Sequence, residues 1–317
     1  SLVGSEMCIR DRPRIARKLG ADPAVALWIG VANPLIILHL IGGMHNESLM
    51  VGLVSLGLLA ALHQRFHAAL LLVGTAVAMK ATAIFAAPFI VWLMLHRYAP
   101  KGSTAVRTAV VFFCSGVIAA VEIIASVALI TWASGTSWGW LSQVSGNSKV
   151  INPLAGPTLA ADIIVPAVHI FDPDASYNAI LGVLRTIAMV CMLIGLVIVW
   201  WLSRHTARDA IMGTAAAYQV AFVFNSVTLP WYYASIFTLM GTFRPPLWLL
   251  KFTSGVALFI SLSFSGDGNH QLYNWFWVIG VIVLSWSATQ WMFDGVGPKG
   301  PQRPRRRAKK QTPVPAE

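Results

Sequence analysis

The feature that most limits how this chain can fold is its series of long, unbroken apolar runs. They cover residues 24–41, 48–62, 68–95, 105–133, 179–202, 209–229, 231–243, 247–264 and 273–293. Several approach or exceed the roughly 20 residues a helix needs to cross a bilayer. The runs are continuous rather than alternating, which fits a β-barrel poorly. Only 11% of residues are charged, where a soluble domain carries about a quarter. The expected fold is therefore all-α: a polytopic helical membrane protein with nine to ten apolar helices.

The formal net charge of +11 would suit a nucleic-acid binder if Lys and Arg were spread over one face. They are confined instead to short connections and the tail: "RPRIARK" (12–18), "HQRF" (63–66), "HRYAPKGSTAVR" (96–107), "SRHTAR" (203–208), "FRPP" (243–246) and "RPRRRAKK" (303–310). That is the pattern of cytoplasmic loops under the positive-inside rule, so no nucleic-acid partner is expected. The opposite connections are "GGMHNE" (42–47), the segment 134–178, "LPWYY" (229–233) and "SGDGNHQ" (265–271), and they hold only Lys149. Alternation is preserved if 68–95 is a short hairpin broken near Lys80, which puts Lys80 toward the external face. Such a break is tolerated at membrane depth only when buried in protein or lining a cavity.

The opening "SLVGSEMCIRDR" (1–12) lacks a starting Met and resembles a translated sequencing adapter. It is expected to be non-native, with the natural N-terminus and further helices missing before it. Residues 13–294 form the expected transmembrane domain, and the basic, Pro-rich stretch 295–317 an expected disordered cytoplasmic tail, drawn to anionic lipid head groups. Cys8, Cys114 and Cys191 build no disulfide framework.

Polar groups in so apolar a chain need a reason. His45, Asn46 and Glu47 share one external turn; Asn46 could cap the next helix and Glu47 favour its first turn, which leaves His45 unexplained. Lys80 interrupts an apolar run, and it either snorkels to the interface or offers a point charge to an anionic lipid phosphate. Trp231, Tyr232 and Tyr233 follow Pro230 and read as an aromatic belt or as a sugar-binding platform. The long external segment adds Asp162, His169, Asp172 and Asp174, the last two in "DPDAS" turn chemistry. "SGDGNHQ" reads mainly as a tight turn. Glu122 and Asn225 are intramembrane polar groups without a recognisable ion-coupling partner. No phosphate-cradling glycine loop, zinc spacing or nucleophile elbow occurs in the sequence, so no metal and no cofactor is expected.

A "GGxHNE" turn before an apolar helix, a helix pair broken at "AMKATAIFAAPF" (78–89), and a late "LPWYY" together resemble a known family. It is the polyprenol-phosphate-mannose-dependent α-1,6-mannosyltransferases of actinobacteria, in the glycosyltransferase C superfamily, and the likeness covers most of residues 15–295. It implies transfer of mannose from polyprenyl-phosphate mannose to a growing α-1,6-mannan, the lipomannan and lipoarabinomannan backbone, on the external face of the plasma membrane. It implies donor-phosphate contacts from Lys80 and His45, and sugar or acceptor contacts from Asn46, Trp231, Tyr232 and Tyr233. The main catalytic base is expected in a missing N-terminal loop, with Glu47 as a supporting carboxylate. Another polyprenyl-phosphate-sugar transferase, or a transporter or lipid flippase, is the alternative; a transporter would be expected to show a matching helix break in a second half.

Overall fold

In the computed structural model, residues 2–139 and 150–295 are described. The chain enters through α1 (Leu2–Lys18) and α2 (Pro23–Gly30), followed by a π-helical turn over Ile36–Gly42. Then come α3 (Glu47–Leu62), α4 (Phe66–Met79), a 3-10 segment (Ala81–Ala86) running straight into α5 (Ala87–Tyr98), and α6 (Ala105–Ala133). The second half holds α7 (Gly156–Val168), α8 (Tyr177–Leu202), α9 (Ala207–Phe224), a 3-10 turn (Pro230–Tyr233) and α10 (Ala234–Met240). It closes with α11 (Leu247–Ser263) and α12 (Trp275–Met292). The fold is helical, as the apolar runs require.

Among the described residues, four helices are long and apolar enough to cross a membrane: Ala81–Tyr98, α6, α8 and α12; the π-turn and α3, bent by 109°, make a fifth if counted as one span. The nine to ten apolar helices expected are not all of spanning length, because some runs break. The run 24–41 divides into α2 and the π-turn around Pro34, and the run 231–243 yields only a 3-10 turn and a seven-residue helix. Neither piece reaches the length of a bilayer.

Residues 2–12, set apart in the sequence reading, continue into α1, which lies against α3 and buries Cys8, Asp11 and Arg12. Residues 140–149, with Lys149, and the tail from 296 lie outside the described residues.

At Lys80 the backbone is extended (φ −157°, ψ 121°), which ends α4, and Pro88 sits in the first turn of α5. The arms on either side return toward one another: the rings of Phe66, at the start of α4, and Tyr98, at the end of α5, are 5.7 Å apart. Lys80 therefore occupies the apex. The basic connections gather at the far end. His96 Nε2 lies 2.7 Å from the Arg204 carbonyl, Arg107 donates to the Tyr98 carbonyl at 2.9 Å, and Arg208 donates to the Arg244 carbonyl at 2.9 Å. Arg244 in turn donates to the carbonyl of Gly20.

Candidate functional site

Three segments far apart in sequence meet at the apex end of the bundle. The turn between the π-helix and α3 swings the chain through 109°, and Met44 absorbs the change with a left-handed φ of 48°, an uncommon conformation for a side-chain-bearing residue. Beyond that turn Glu47 enters the first turn of α3 buried, only 2% exposed. Asn46 precedes it as the cap residue, yet its side chain makes no capping hydrogen bond and is exposed. The capping account of Asn46 is therefore not what the structure shows.

Glu47 is paired with Lys80, whose ammonium donates to Glu47 Oε1. The other carboxylate oxygen, Oε2, is shut from solvent and has no partner among the described residues. Lys80 also stands over the Tyr232 ring, 3.5 Å from its centroid, where the negative face of the π system attracts a cation. One ammonium is thus held between a carboxylate and an aromatic ring, with an oxygen of that carboxylate left free.

Next to this pair, the His45 imidazole stacks on Trp231, ring centroids 3.6 Å apart and planes inclined by 22°. His45 Nε2 lies 2.8 Å from the carbonyl oxygen of Gly266. This contact docks the 264–270 loop over the site. The loop is closed by an antiparallel bridge between Phe264 and His270 and tightened by Asp267, whose carboxylate accepts from Ser265 Oγ and from the Asn269 side-chain amide. The hydrogen bonds from Ser265 and the Asn269 backbone hold the Asp267 carboxyl below its ordinary range, and burial pushes His270 down. Gly268, at φ +90°, faces Trp231; a Cβ there would lie 3.2 Å from the indole Cη2. The turn that looked merely tight in sequence is the lid on the His45–Trp231 stack.

Of the residues singled out in sequence, His45, Glu47, Lys80, Trp231 and Tyr232 are brought together. Asn46 stands exposed beside them. Tyr233 is turned away: its ring packs on Phe237 at 6.4 Å and on Phe222 at 6.2 Å. A residue the sequence reading passed over is His39, fully buried in the π-helical turn, 6.4 Å from the Trp231 ring, with both ring nitrogens unpartnered among the described residues. The signal was available, since a histidine inside an apolar run needs an explanation as much as Lys80 does.

Asp162 accepts a hydrogen bond from the Tyr177 hydroxyl at 2.7 Å. His169 Nε2 lies 2.9 Å from the Ala175 carbonyl, while Asp172 Oδ1 accepts from the Asp174 amide at 3.3 Å in the expected turn. Glu122 contacts His67 rather than an ion-coupling carboxylate. Among the described residues no group of three His, Cys, Asp or Glu side chains could hold a metal ion.

From the apex an apolar groove of about 640 Å³ runs between α5, α6, α8 and α9, lined among others by Ile84, Phe85, Phe112, Leu196 and Trp200. Its upper wall is linked to the ion pair by aromatic contacts: Phe85 on Tyr218 at 5.9 Å, Tyr218 on Phe222 at 5.7 Å, and Phe222 on Tyr232 at 5.5 Å. The apolar helices that carry this groove and the buried ion pair define a helical membrane protein.

The chain belongs to the α-(1→6)-mannopyranosyltransferase family. Residues 1–96 match the model of the α-(1→6)-mannopyranosyltransferase N-terminal domain, and residues 157–293 match the MptB C-terminal domain. α-(1→6)-Mannopyranosyltransferase A of Corynebacterium glutamicum is 55% identical over 306 residues, covering 94% of this chain and 62% of the relative. The protein of the same name from Mycobacterium tuberculosis is 33% identical over 288 residues, covering 90% of this chain and 55% of the relative. The chain thus spans about three fifths of the length of these relatives. No solved structure matches it.

Proposed function

We propose that this chain carries the donor-phosphate site of a membrane mannosyltransferase that uses polyprenyl-phosphate mannose and extends an α-1,6-mannan of the lipomannan type. The observation that carries this reading is the Lys80 ammonium, fixed by Glu47 and Tyr232, with the 640 Å³ apolar groove linked to it through the Phe85–Tyr218–Phe222–Tyr232 ring contacts. A polyprenyl phosphate needs both parts: a cation for the head and a dry channel, within the usual volume range of ligand pockets, for the tail.

In the reaction, the acceptor hydroxyl oxygen attacks the anomeric carbon of mannose as the bond from that carbon to the phosphate oxygen breaks. The lipid phosphate leaves with the bonding electrons, and the hydroxyl proton passes to a base. Charge therefore grows on the phosphate in the transition state, where a preoriented cation in a water-poor site is most effective. Lys80 supplies that cation and His45 a second donor. Glu47 holds the Lys80 ammonium in place, while the Trp231 indole and the exposed Asn46 amide flank the sugar. The catalytic base itself is left unassigned within residues 2–139 and 150–295. The basic connections at the opposite end support an external site at the plasma membrane under the positive-inside rule.

The tail assignment has its own test. A polyprenyl phosphate carrying a photoreactive group along its chain should label peptides containing Ile84, Ala120 or Leu196. Labelling confined to the outer faces of α6 and α12, unaffected by excess unlabelled lipid, would contradict it.

A further inference from the structure

A second cation on the same side of the molecule has no role in the account above. Arg185 lies in α8, a helix that otherwise presents Val183, Ile187, Val190 and Leu193 on its exposed side. An ionised side chain in such a helix is costly and needs a partner. Among the described residues its guanidinium donates once, to the Val150 carbonyl at 3.1 Å, and its Nε is shut from solvent without an acceptor. Among the described residues no carboxylate pairs with it. Beside it is a pocket of about 240 Å³, walled by Arg185, Thr186, Asn225 and Ser226 on its polar side and by Met189, Met192 and Phe224 on its apolar side. The Asn225 amide is occupied in shaping the loop, donating to the Val227 carbonyl at 2.8 Å and accepting from the Ser226 amide at 2.9 Å. The Thr186 hydroxyl donates to the Gly182 carbonyl at 3.1 Å. Ser226 presents a hydroxyl with no hydrogen bond among the described residues.

We infer that this pocket binds the phosphate of an anionic membrane lipid, separately from the Lys80 site. The guanidinium supplies the charge and the planar fork that phosphate oxygens match. The Ser226 hydroxyl supplies a neutral donor, and the exposed apolar side chains of α8 lie where the acyl chains run. The loop that begins at Asn225 ends at Trp231 and Tyr232, so an anion held at its start pins the segment that delivers both rings to the first site. The inference rests on Arg185 and its surroundings, and holds whichever sugar or reaction the Lys80 site serves.

The test uses the whole chain, purified in detergent and offered equal amounts of phosphatidylglycerol and phosphatidylcholine, with retained lipids counted by native mass spectrometry. The wild-type chain should favour phosphatidylglycerol about fivefold more than Arg185→Gln does, the size expected for one basic residue at a lipid surface, since the basic tail acts equally in both. Arg185→Lys should keep part of the difference. Ser226→Glu, which leaves Arg185 in place and cancels its charge, should match Arg185→Gln, so the outcome does not hang on one variant folding. A Glu47→Gln/Lys80→Met double variant should keep the wild-type preference, which separates this pocket from the first site. Displacement of phosphatidylglycerol by millimolar inorganic phosphate would make a free phosphate ion an equal occupant; no displacement would make the lipid the source. A wild-type preference no greater than that of both Arg185→Gln and Ser226→Glu would overturn the inference.

Discussion

Among the described residues Glu47 and Lys80 are each other's only ionic partner, and neither can be removed alone without consequence. With Lys80 gone, a carboxylate that is 2% exposed is left unpaired, which costs about 3–5 kcal/mol in comparable sites. We expect Lys80→Met to lower the unfolding midpoint in detergent sharply, and Glu47→Gln/Lys80→Met to recover much of the loss. Equal destabilisation by the single and double variants would show that the pair is not coupled. The His45–Trp231 stack makes a smaller prediction. Trp231→Ala should cost about 1 kcal/mol beyond the lost burial, in the range of aromatic pairs, while Trp231→Phe should keep most of the stack. A double-mutant cycle with His45→Ala measures it.

At the scale of elements, the 264–270 loop is the part most sensitive to backbone chemistry. Gly268→Val combines a left-handed φ of +90° with a Cβ 3.2 Å from the Trp231 ring. A β-branched residue there should cost at least 1–2 kcal/mol in backbone strain and lift the loop off His45, seen as faster amide exchange at Gly266–His270. After correction for the intrinsic pH dependence of amide exchange, the part of the loop's protection that Asp267 supplies should be insensitive to mild acid. Because the folded-state pKa of Asp267 is depressed, its contribution is present above the ordinary carboxylate value of about 3.9 and is lost only as pH falls through the lower folded value. Loosening of the loop between about pH 7 and pH 5 would point to His270 instead.

The elements also show what the sequence could and could not disclose. The break at Lys80 was legible because a charge and a nearby proline interrupt an otherwise unbroken run. The grouping of "HNE", Lys80 and "WYY" was legible because the distribution of Lys and Arg assigns them one side. Which aromatic does what was not. A 3-10 turn has about three residues per turn, so consecutive side chains point some 120° apart. Trp231 goes to His45, Tyr232 to Lys80 and Tyr233 to the core. Nor could a turn signal in "SGDGNHQ" say what the loop covers, since turn chemistry is local and docking is not. The π-helical placement of His39 depends on a register that hydrophobic periodicity does not encode.

For the whole molecule, the exposed apolar faces of α6, α8 and α12 require a lipid environment. Membranes holding the chain should therefore retain it through alkaline carbonate washing and release it to detergent; release by carbonate alone would count against spanning helices. The basic ends and the polar apex give the molecule two chemically distinct poles, and the proposed role of the polar pole is to handle a lipid phosphate. The most direct measurement is mannosyl transfer from polyprenyl-phosphate mannose to a short α-1,6-mannoside, by a protein of the relatives' full length that carries this sequence. Comparing wild type with Lys80→Arg and Lys80→Ala, at matched levels of folded protein, isolates the cation. Lys80→Ala should lower kcat/KM for the lipid donor by about 100-fold or more, the scale for losing one transition-state charge contact, with KM for the acceptor unchanged and Lys80→Arg retaining part of the activity. Donor kinetics unaltered in Lys80→Ala would contradict the phosphate role, and with it the placement of the site.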